Sequence, residues 1–239
     1  MYKSSFGKLY LIPNTLSVNS CTDVIPEVTK KIIKSLNCFV FENEKFGRLY
    51  IKKISTKICQ KNLTVHILNK KSSENEIQNI IEILLNGNDM GLITDSGCPA
   101  IADPGSRLIY FSHKKNIKVI PLVGPSSILL ASMSSGLNGQ SFSFNGYLPI
   151  EKSRRKSKIK FYERQSSKNN QTQIFIETPY RNESLFDDMC ETLEDSTLLS
   201  IATNLTCDSE FIKTDRISFW KKNKPSINRK PTIFSFLRI

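Results

Sequence analysis

The sequence is poor in the residues that several common enzyme mechanisms require. Its 239 residues include only two histidines, His66 and His113, which are far apart and outside any H-E-x-x-H pattern. Six cysteines are scattered along the chain without a C-x-x-C pair, which argues against a zinc site, a redox dithiol or disulfide staples. We therefore predict mostly buried free thiols, no metal site and no Ser-His-Asp catalysis.

Long hydrophobic runs are also absent. No apolar run approaches the roughly 20 residues that cross a bilayer, and residues 1–13 lack the apolar core and cleavage site of a signal peptide. These absences predict a cytoplasmic protein without a membrane partner. The motifs G-x-G-x-x-G and G-x-x-x-x-G-K-[ST] are missing as well, so neither a dinucleotide site of the Rossmann type nor a P-loop is supported.

The chain has an excess of positive charge. Its 34 Lys and Arg against 22 Asp and Glu give a formal net charge of +12, and such an excess favours a polyanionic partner such as RNA or DNA. The chain is also visibly rich in Lys, Ile, Asn and Ser, a compositional bias that raises Lys without any selection for binding. Composition alone leaves both interpretations open.

Short apolar runs alternate with helix-period segments in the first part of the chain. This alternation predicts a mainly parallel sheet with helices on both faces. The rhythm breaks near residues 140–149, and the strands that follow are closely spaced, which predicts a mixed sheet with helices. The chain is thus predicted to be α/β, with an N-terminal domain at residues 1–144 and a C-terminal domain at residues 145–239. The strands are predicted at residues 9–12, 38–41, 63–68, 90–94, 117–120, 173–176, 198–202, 211–213 and 232–236.

Ligands of open α/β sheets bind beyond the carboxyl ends of the strands, and two loops of this chain have such positions. In the first loop, Asp95 directly follows a predicted strand, and Gly97 allows a positive φ or a close backbone approach. Asp103 and Pro104 are typical of a helix start, with Asp as N-cap and Pro at the first helical position. Asp103 therefore has a structural role, whereas we expect Asp95 to face a ligand.

The second loop covers residues 121–127. Ser126 is suited to cap the helix predicted at residues 127–135, which Gly136 ends. The free N–H groups in the first turn of such a helix bind anions or polar ligands. A simple tight turn at Gly124 and Pro125 explains the same residues, so this loop alone does not decide between a site and a turn.

Five short segments follow one another in a characteristic order. They are Leu92-Ile-Thr-Asp-Ser-Gly-Cys-Pro99, Asp103-Pro-Gly105, Val123-Gly-Pro-Ser-Ser127, Asn145-Gly-Tyr-Leu-Pro149 and Glu177-Thr-Pro-Tyr-Arg181. The ordered set resembles the tetrapyrrole methylase superfamily, the class III S-adenosylmethionine-dependent methyltransferases, which write these segments S-D-A-G-T-P, D-P-G, P-G-P-S-A, G-F-L-P and E-S-P-H-R. Within it, the sequence is most similar to the branch of ribosomal small-subunit methyltransferase I, which methylates a cytidine ribose 2′-hydroxyl in 16S rRNA.

This resemblance implies a two-domain fold, usually a homodimer, with S-adenosylmethionine in the cleft between the domains. By position, it assigns cofactor binding to Pro13, Asp95, Gly97, Cys98, Ser126, Ser127 and Ile176. Two segments depart from the family. Residues 14–19, Asn-Thr-Leu-Ser-Val-Asn, stand where the family has T-P-I-G-N-L, and residues 202–207, Ala-Thr-Asn-Leu-Thr-Cys, stand where it has A-R-E-L-T-K.

Methyl transfer to a ribose hydroxyl depends on positioning and gains from a carboxylate that orients or deprotonates the hydroxyl. Glu42 matches the family's A-E-D-T-R segment and is the first catalytic candidate. Glu177 is the second. A structural carboxylate paired with Lys45 or Arg48 is the alternative interpretation of Glu42.

The positive charge is concentrated in two segments. Residues 151–168 hold eight Lys and Arg against two Glu, and residues 221–230 hold five more without an acid. The first segment overlaps the family's G-F-L-P-x-K…R pattern, so we predict that Lys152, Arg154, Arg155 and Lys156 contact RNA phosphates. A merely solvated helix face is the alternative.

Three functions remain open at this stage. The first is methylation of a ribose in small-subunit rRNA. The second keeps the cofactor but has a tetrapyrrole or other small molecule as substrate. The third, motivated by the two altered segments, is a non-enzymatic RNA- or ribosome-binding protein on a degenerate methylase fold.

Overall fold

The structure is a computed structural model that describes residues 5–17 and 20–239. Val18 and Asn19, which end the altered segment at residues 14–19, lie outside the described residues. The chain divides into two compact units, Met1–Ser126 and Ser127–Ile239. This division falls earlier than the boundary predicted after residue 144, because the elements at residues 127–144 pack in the second unit.

The first unit contains a five-stranded parallel sheet in the order β3-β2-β4-β1-β5. Its strands are β1 (Lys8–Ile12), β2 (Cys38–Phe41), β3 (Thr64–Ile67), β4 (Met90–Ile93) and β5 (Lys118–Pro121). Its helices are α1 (Glu27–Ser35), α2 (Glu44–Ile54), α3 (Glu74–Leu85) and α4 (Gly105–Lys114).

Helices cover both faces of this sheet. On one face, α3 and α4 bury Ile77, Ile81 and Leu108 against the strands. On the other face, α1 and α2 bury Ile33 and Ile51. All four residues of β2 and all four of β4 are buried, as expected for inner parallel strands that are apolar on both faces.

Two helices of this unit begin at strong caps. Ser73 and Glu76 form a capping box on α3, in which the Ser73 N–H donates to the Glu76 carboxylate at 2.7 Å. Asn43 caps α2 by accepting from the Lys45 N–H at 3.0 Å. The cap of α2 matters for the site, because Asn43 directly follows Glu42.

The second unit contains a mixed sheet in the order β6-β7-β10-β8-β9. Its strands are β6 (Phe142–Phe144), β7 (Thr172–Glu177), β8 (Leu198–Thr203), β9 (Phe211–Arg216) and β10 (Thr232–Leu237). Its helices are α5 (Ser127–Ser135), α6 (Lys152–Asn169), α7 (Asn182–Thr192) and the short α8 (Ile217–Trp220). Only the β6–β7 pair is parallel among the described pairings of this sheet.

Helix α5 and strand β6 explain where the chain divides. Helix α5 lies against β8, β9 and β10, and the Thr214 hydroxyl donates to the Ser135 carbonyl at 2.7 Å. Strand β6, which the sequence analysis did not predict, pairs with β7. The predicted class, a mainly parallel N-terminal sheet with helices on both faces and a mixed C-terminal sheet, is confirmed. None of the helices in residues 5–17 and 20–239 is both long and apolar enough to cross a bilayer.

Candidate functional site

The candidate site lies at the carboxyl edge of the parallel sheet. Three central strands end there: β1 continues into Pro13 and Asn14, β2 into Glu42, and β4 into Thr94 and Asp95. Because β2, β4 and β1 are neighbours in the sheet, their following loops begin side by side. This edge is where parallel α/β sheets bind ligands.

Asn14 fastens the loop after β1 to the loop after β4. Its side-chain amide donates to the Thr94 carbonyl at 3.0 Å and to the Asp95 carbonyl at 3.1 Å. Its backbone N–H donates to the Gly97 carbonyl at 2.9 Å, and its side-chain oxygen accepts from the Thr15 N–H at 2.7 Å. In the sequence, Asn14 stands out only as a departure from the family, and nothing near it in the chain indicates that its amide closes this network.

The loop after β5 joins the same network. Gly124 lies so close to Pro13 that an added Cβ would be 2.4 Å from the Pro13 Cβ, and the Cys98 Sγ is 3.5 Å from the Pro125 carbonyl oxygen. Gly97 has φ +69°, the left-handed conformation that the sequence suggested. The bend after Asp95 and the bend before Ser126 therefore meet.

Three carboxylates gather around Thr94. Desolvation, and then the nearby charges of Asp95 and Asp103, raise the pKa of Glu42, although hydrogen bonds from the Asp95 N–H and the Thr94 hydroxyl oppose this. The Thr94 Oγ1 is 3.3 Å from the Glu42 Oε2. Desolvation also raises the pKa of Asp95, against a hydrogen bond from the Asn43 N–H. Glu42 is thus a partly buried carboxylate with two negative neighbours, and it binds a proton more readily than a free glutamate.

The alternative interpretation of Glu42 depends on a cation that is occupied elsewhere. Arg48 pairs with Glu44 at 2.7 Å and donates to the Gln60 carbonyl at 2.7 Å. No ion pair of Lys45 or Glu42 is found in the part of the chain that the structure describes. The geometry therefore favours a chemical role for Glu42 over a structural ion pair.

Asp103 has the structural role predicted for it, one residue away from the predicted position. Helix α4 begins at Gly105 with Pro104 in the cap position, and the Asp103 carboxylate accepts from the Gly105 N–H at 2.6 Å and the Ala100 N–H at 2.8 Å. Desolvation raises the pKa of Asp103, and these amides oppose the shift. Ala100 and Ala102 have φ of +67° and +62°, so Asp103 holds a strained loop.

Glu177, the second catalytic candidate, lies at the end of β7 and is almost completely buried. Its Oε2 pairs with Arg181 at 2.7 Å, and its Oε1 accepts from the Thr178 N–H at 2.6 Å. Both oxygens are therefore engaged by neighbouring residues. Its catalytic role stays a prediction, and these contacts favour a structural one.

The remaining cofactor candidates are the last residue of the first unit, Ser126, and two residues of the second unit, Ser127 and Ile176. Ser126 immediately precedes α5, and Ser127 is the first residue of that helix. Ile176 lies on β7 and is half-buried. Their roles in cofactor binding stay predictions.

The basic segment forms nearly all of α6, and its four candidate residues, which lie in the first two turns, have different environments. Arg155 is buried, donates to Asp188 at 2.6 Å and to the Ile150 carbonyl at 2.6 Å, and also contacts Ser184 at 3.0 Å. Its guanidinium is thus used inside the protein and has no surface to offer a phosphate. Lys152 and Arg154 have side chains that are 63% and 78% exposed, whereas Lys156 is half-buried and pairs with Glu191.

The cysteines also differ from the prediction. Cys38 and Cys190 are buried, but Cys21 and Cys59 are exposed and Cys98 and Cys207 are intermediate. The prediction of mostly buried thiols is therefore wrong. Among the described residues, no group of three His, Cys, Asp or Glu side chains could hold a metal ion.

Two open pockets flank the carboxylates at this edge. The Phe46 pocket is lined by Asn14, Thr15 and Asp95 and by Phe46, Leu49 and Lys53. Its volume is about 310 Å³, including the part that is open to solvent. The Arg107 pocket lies between the loop after β3 and the start of α4 and has about 580 Å³ by the same measure. Both pockets open beside the residues that follow the strands.

Comparison with solved structures identifies the class of fold. The methyltransferase CobJ matches 97% of this chain and 94% of its own chain with a TM-score of 0.62 at 14% identity. Uroporphyrin-III C-methyltransferase from Thermus thermophilus, complexed with S-adenosylhomocysteine, matches 97% of this chain and 98% of its own with a TM-score of 0.58 at 11% identity. The chain therefore has the two-domain α/β fold of the tetrapyrrole methyltransferases.

Comparison with curated sequences narrows this class. Ribosomal RNA small subunit methyltransferase I of Thermotoga maritima is 30% identical over 66% of this chain and 70% of its own length. The enzymes of the same name from Buchnera aphidicola (subsp. Schizaphis graminum) and Vibrio cholerae are 29% and 34% identical, over 95% and 61% of this chain and 76% and 49% of their own lengths. No family model matches the chain. The chain belongs to the ribosomal RNA small subunit methyltransferase I family, which confirms the resemblance seen in its motifs.

Proposed function

We propose that this protein transfers a methyl group from S-adenosylmethionine to a ribose 2′-hydroxyl of small-subunit rRNA. One observation carries the proposal: the loops after β1, β4 and β5 meet at one edge of the sheet, beside the raised-pKa carboxylate of Glu42. Family membership supports the methyl donor and the rRNA substrate.

The residues at this edge fit a sulfonium donor. The carboxylates of Glu42 and Asp95 complement a positive charge, and Gly97, with φ +69°, turns the loop after β4 at this edge. When bound, S-adenosylmethionine supplies a methyl group that its sulfonium sulfur has already activated. We assign Pro13, Asp95, Gly97, Cys98 and Ser126 to holding it.

Glu42 is proposed as the base. It accepts the proton of the ribose hydroxyl as that oxygen forms its bond to the methyl carbon and the bond from carbon to sulfur breaks. A base with a raised pKa is better matched to this task near neutral pH, and a positioned base contributes roughly 10²–10⁴-fold. The pinned loops contribute by positioning, which in favourable cases supplies up to about 7–11 kcal/mol.

Lys152 and Arg154 are proposed to contact RNA phosphates. Lys152 lies 3.6 Å from Asp188, and Arg154 pairs with Glu151 at 2.8 Å. The exposed Arg154–Glu151 pair is worth only about 0–1 kcal/mol. The Lys152 side chain is 63% exposed and lies beside a buried carboxylate that Arg155 already pairs with, so both cations can turn to phosphates. Lys156 contributes less because Glu191 holds it, and Arg155 is left out because it is buried.

A homodimer and a cytoplasmic location complete the proposal. The family resemblance supports the homodimer, and a ribosomal substrate supports the cytoplasmic location. Light scattering on the purified protein measures the oligomeric state, and a mass near one chain would contradict the dimer.

Calorimetric titration with S-adenosylhomocysteine and transfer of labelled methyl to 30S particles test the function. The wild type is expected to bind and to label, whereas Asp95→Asn weakens binding and Glu42→Gln leaves binding but loses most of the labelling. Glu82→Gln is the matched control, because Glu82 is an exposed carboxylate on α3 in the same unit. A wild type that neither binds S-adenosylhomocysteine nor labels 30S particles would refute the proposal. Labelling of a small molecule but not of RNA would show that the substrate is the small molecule.

A further inference from the structure

The Arg107 pocket adjoins the carboxylate proposed as the base. Residues 68–70, which follow β3, form one wall, and residues 102–104, Ser106 and Arg107 form the other. Strand β3 is next to β2, which ends immediately before Glu42. The Thr94 hydroxyl contacts both Glu42 and Asp103, so a single side chain separates the pocket wall from the base.

Two cationic side chains line the pocket, and a hydrogen bond fixes one of them. Arg107 donates from Nη1 to the Ser72 carbonyl at 3.1 Å. Ser72 is itself buried, and two hydrogen bonds of 3.0 Å join it to Asn69. The Asn69 N–H donates to the Ser72 Oγ, and the Ser72 N–H donates to the Asn69 carbonyl. This anchor uses one of the five donors of a guanidinium. Lys70 is exposed in the same loop, so a pre-positioned guanidinium and a flexible ammonium share one pocket.

The single carboxylate in the lining offsets only one of the two positive charges and so leaves the pocket with an excess of positive charge. Asp103 spends its two oxygens on the N–H groups of Ala100 and Gly105, at 2.8 and 2.6 Å. Ser106 and Asn69 add a hydroxyl and an amide, which are neutral donors. Two cations, two neutral donors and one engaged carboxylate form a pocket for an oxyanion, and a guanidinium and an ammonium together suit a phosphate.

We propose that the Arg107 pocket binds a backbone phosphate of the RNA beside the nucleotide that is methylated. This inference rests on the proposed function, since it uses Glu42 as the place where the acceptor hydroxyl lies. In RNA, the 2′-hydroxyl is adjacent to the 3′-phosphate of the same ribose. Binding of a neighbouring phosphate by Lys70 and Arg107 therefore fixes the orientation of the hydroxyl. Lys70 and Arg107 are thus positioning residues.

The test measures binding of a small-subunit rRNA fragment as a function of salt. Arg107→Gln and Lys70→Gln are each expected to weaken binding roughly five- to tenfold at low salt and to lower the slope of log affinity against log salt by about 0.7–0.9. Arg107→Lys keeps the charge and is expected to retain most of the slope. Lys118→Gln is the matched control, because Lys118 is an exposed lysine at the opposite, amino edge of the sheet, at the start of β5.

Two further readouts separate a positioning role from a structural one. Affinity for S-adenosylhomocysteine is expected to stay unchanged in all variants, while the KM for 30S particles rises in Lys70→Gln and Arg107→Gln alone. Thermal stability is expected to stay unchanged in Lys70→Gln, and Arg107→Gln loses at most one hydrogen bond, to the Ser72 carbonyl, worth about 0.5–1.5 kcal/mol. Variants with the same salt slope as Lys118→Gln would overturn the inference. So would Lys70 and Arg107 changes that weaken binding of inorganic phosphate but not of RNA, because the pocket would then serve a small phosphate.

Failure of the proposed function gives a different pattern. A wild type that binds RNA with the expected dependence on Lys70 and Arg107, but neither binds S-adenosylhomocysteine nor labels 30S particles, would refute the methyltransferase and keep the phosphate pocket. A wild type that labels 30S particles with no dependence on Lys70 or Arg107 would refute the pocket alone.

Discussion

Asn14 gives the sharpest test of how the edge is assembled. Replacing Asn14 with Ala removes two hydrogen bonds to backbone carbonyls, at 3.0 and 3.1 Å, and one from the Thr15 N–H, at 2.7 Å. Asn14 is 5% exposed, so water cannot easily replace all three. At about 0.5–1.5 kcal/mol for each bond, and more for a buried group left unpaired, the free energy of unfolding is expected to fall by about 2–4 kcal/mol.

The same change is expected to affect the site. The backbone N–H of residue 14 can still donate to the Gly97 carbonyl, which lies 2.9 Å away, so the loop after β4 is loosened rather than released. A displacement of about 1 Å near a reacting group can cost on the order of 100-fold in rate. A loss of about 1.4–2.8 kcal/mol of binding free energy from the loosened loop would lower the affinity for S-adenosylhomocysteine about 10- to 100-fold, which is the change we expect. Asn14→Thr, which introduces the residue type of the family at this position, supplies one hydroxyl in place of the amide and is expected to lie between wild type and Asn14→Ala.

Urea unfolding followed by circular dichroism gives the stability, and calorimetry gives the affinity. The control is Asn88→Ala, which removes a single exposed hydrogen bond of 3.3 Å to the Ile83 carbonyl and is expected to cost less than about 0.5 kcal/mol. If Asn14→Ala unfolds within about 0.5 kcal/mol of the wild type and binds S-adenosylhomocysteine equally well, the Asn14 bonds do not hold this edge together.

Three more changes probe separate parts of the molecule. Glu42→Gln is expected to lower kcat by roughly 10²–10⁴-fold and to abolish the loss of rate on acidification. Because the pKa of Glu42 is raised in the folded protein, its ionised form destabilises the fold above that pKa. The variant should therefore be no less stable than the wild type near pH 7, and a loss of stability would contradict this. Arg155→Ala should lower the free energy of unfolding in urea by about 3–5 kcal/mol, because Asp188 stays buried without its 2.5 Å partner. If Arg155→Ala changes the salt dependence of RNA binding more than Arg154→Ala does, Arg155 contacts RNA and its assignment to the interior is wrong. Gly124→Ala places a Cβ 2.4 Å from that of Pro13 and should cost about 1–3 kcal/mol together with cofactor affinity; an unchanged Tm would mean that the two loops separate freely.

Periodicity predicted the elements whose environment is set by their own sequence. On α3, the spacing of Ile77, Ile80, Ile81, Leu84 and Leu85 predicts one buried helix face, and Ile77, Ile81 and Leu84 are 0% exposed. The apolar run of β2 is buried along its whole length. Such segments have one apolar face, or two, and burial of that face decides their place in any α/β sheet.

Periodicity failed where an apolar residue faces a pocket. The helical spacing of Phe46, Leu49, Tyr50 and Ile54 predicts one apolar stripe on α2, yet Phe46 and Leu49 are 41% and 39% exposed and line the Phe46 pocket. Tyr50 is buried and donates to the Pro13 carbonyl at 2.7 Å. A hydrophobic pattern records that a face avoids water, but it does not record whether core atoms or a ligand cover that face.

Long-range partners account for the other differences. Arg155 was predicted on the RNA-binding face because it lies in a run of charge, and its burial depends on Asp188, which is 33 positions later in the chain. Strand β6 has only three residues, and it forms because β7, far along the chain, offers an edge for parallel pairing. Neither partner can be identified from the local sequence, since spacing along the chain does not specify which segments meet.

Three candidate carboxylates show how structure separates roles that sequence leaves equivalent. Asp103 and Glu177 both follow or precede elements in the way a ligand-binding carboxylate does, but the oxygens of each are satisfied by amides or by an arginine at 2.6–2.8 Å. Glu42 instead has a hydroxyl at 3.3 Å and one backbone amide, and two neighbouring negative charges raise its pKa further. A carboxylate that the fold leaves short of donors gains from binding a proton, and the reaction of a ribose hydroxyl with a sulfonium provides that proton. The weaker stabilisation of Glu42 by the fold is therefore the physical reason for assigning the chemistry to it.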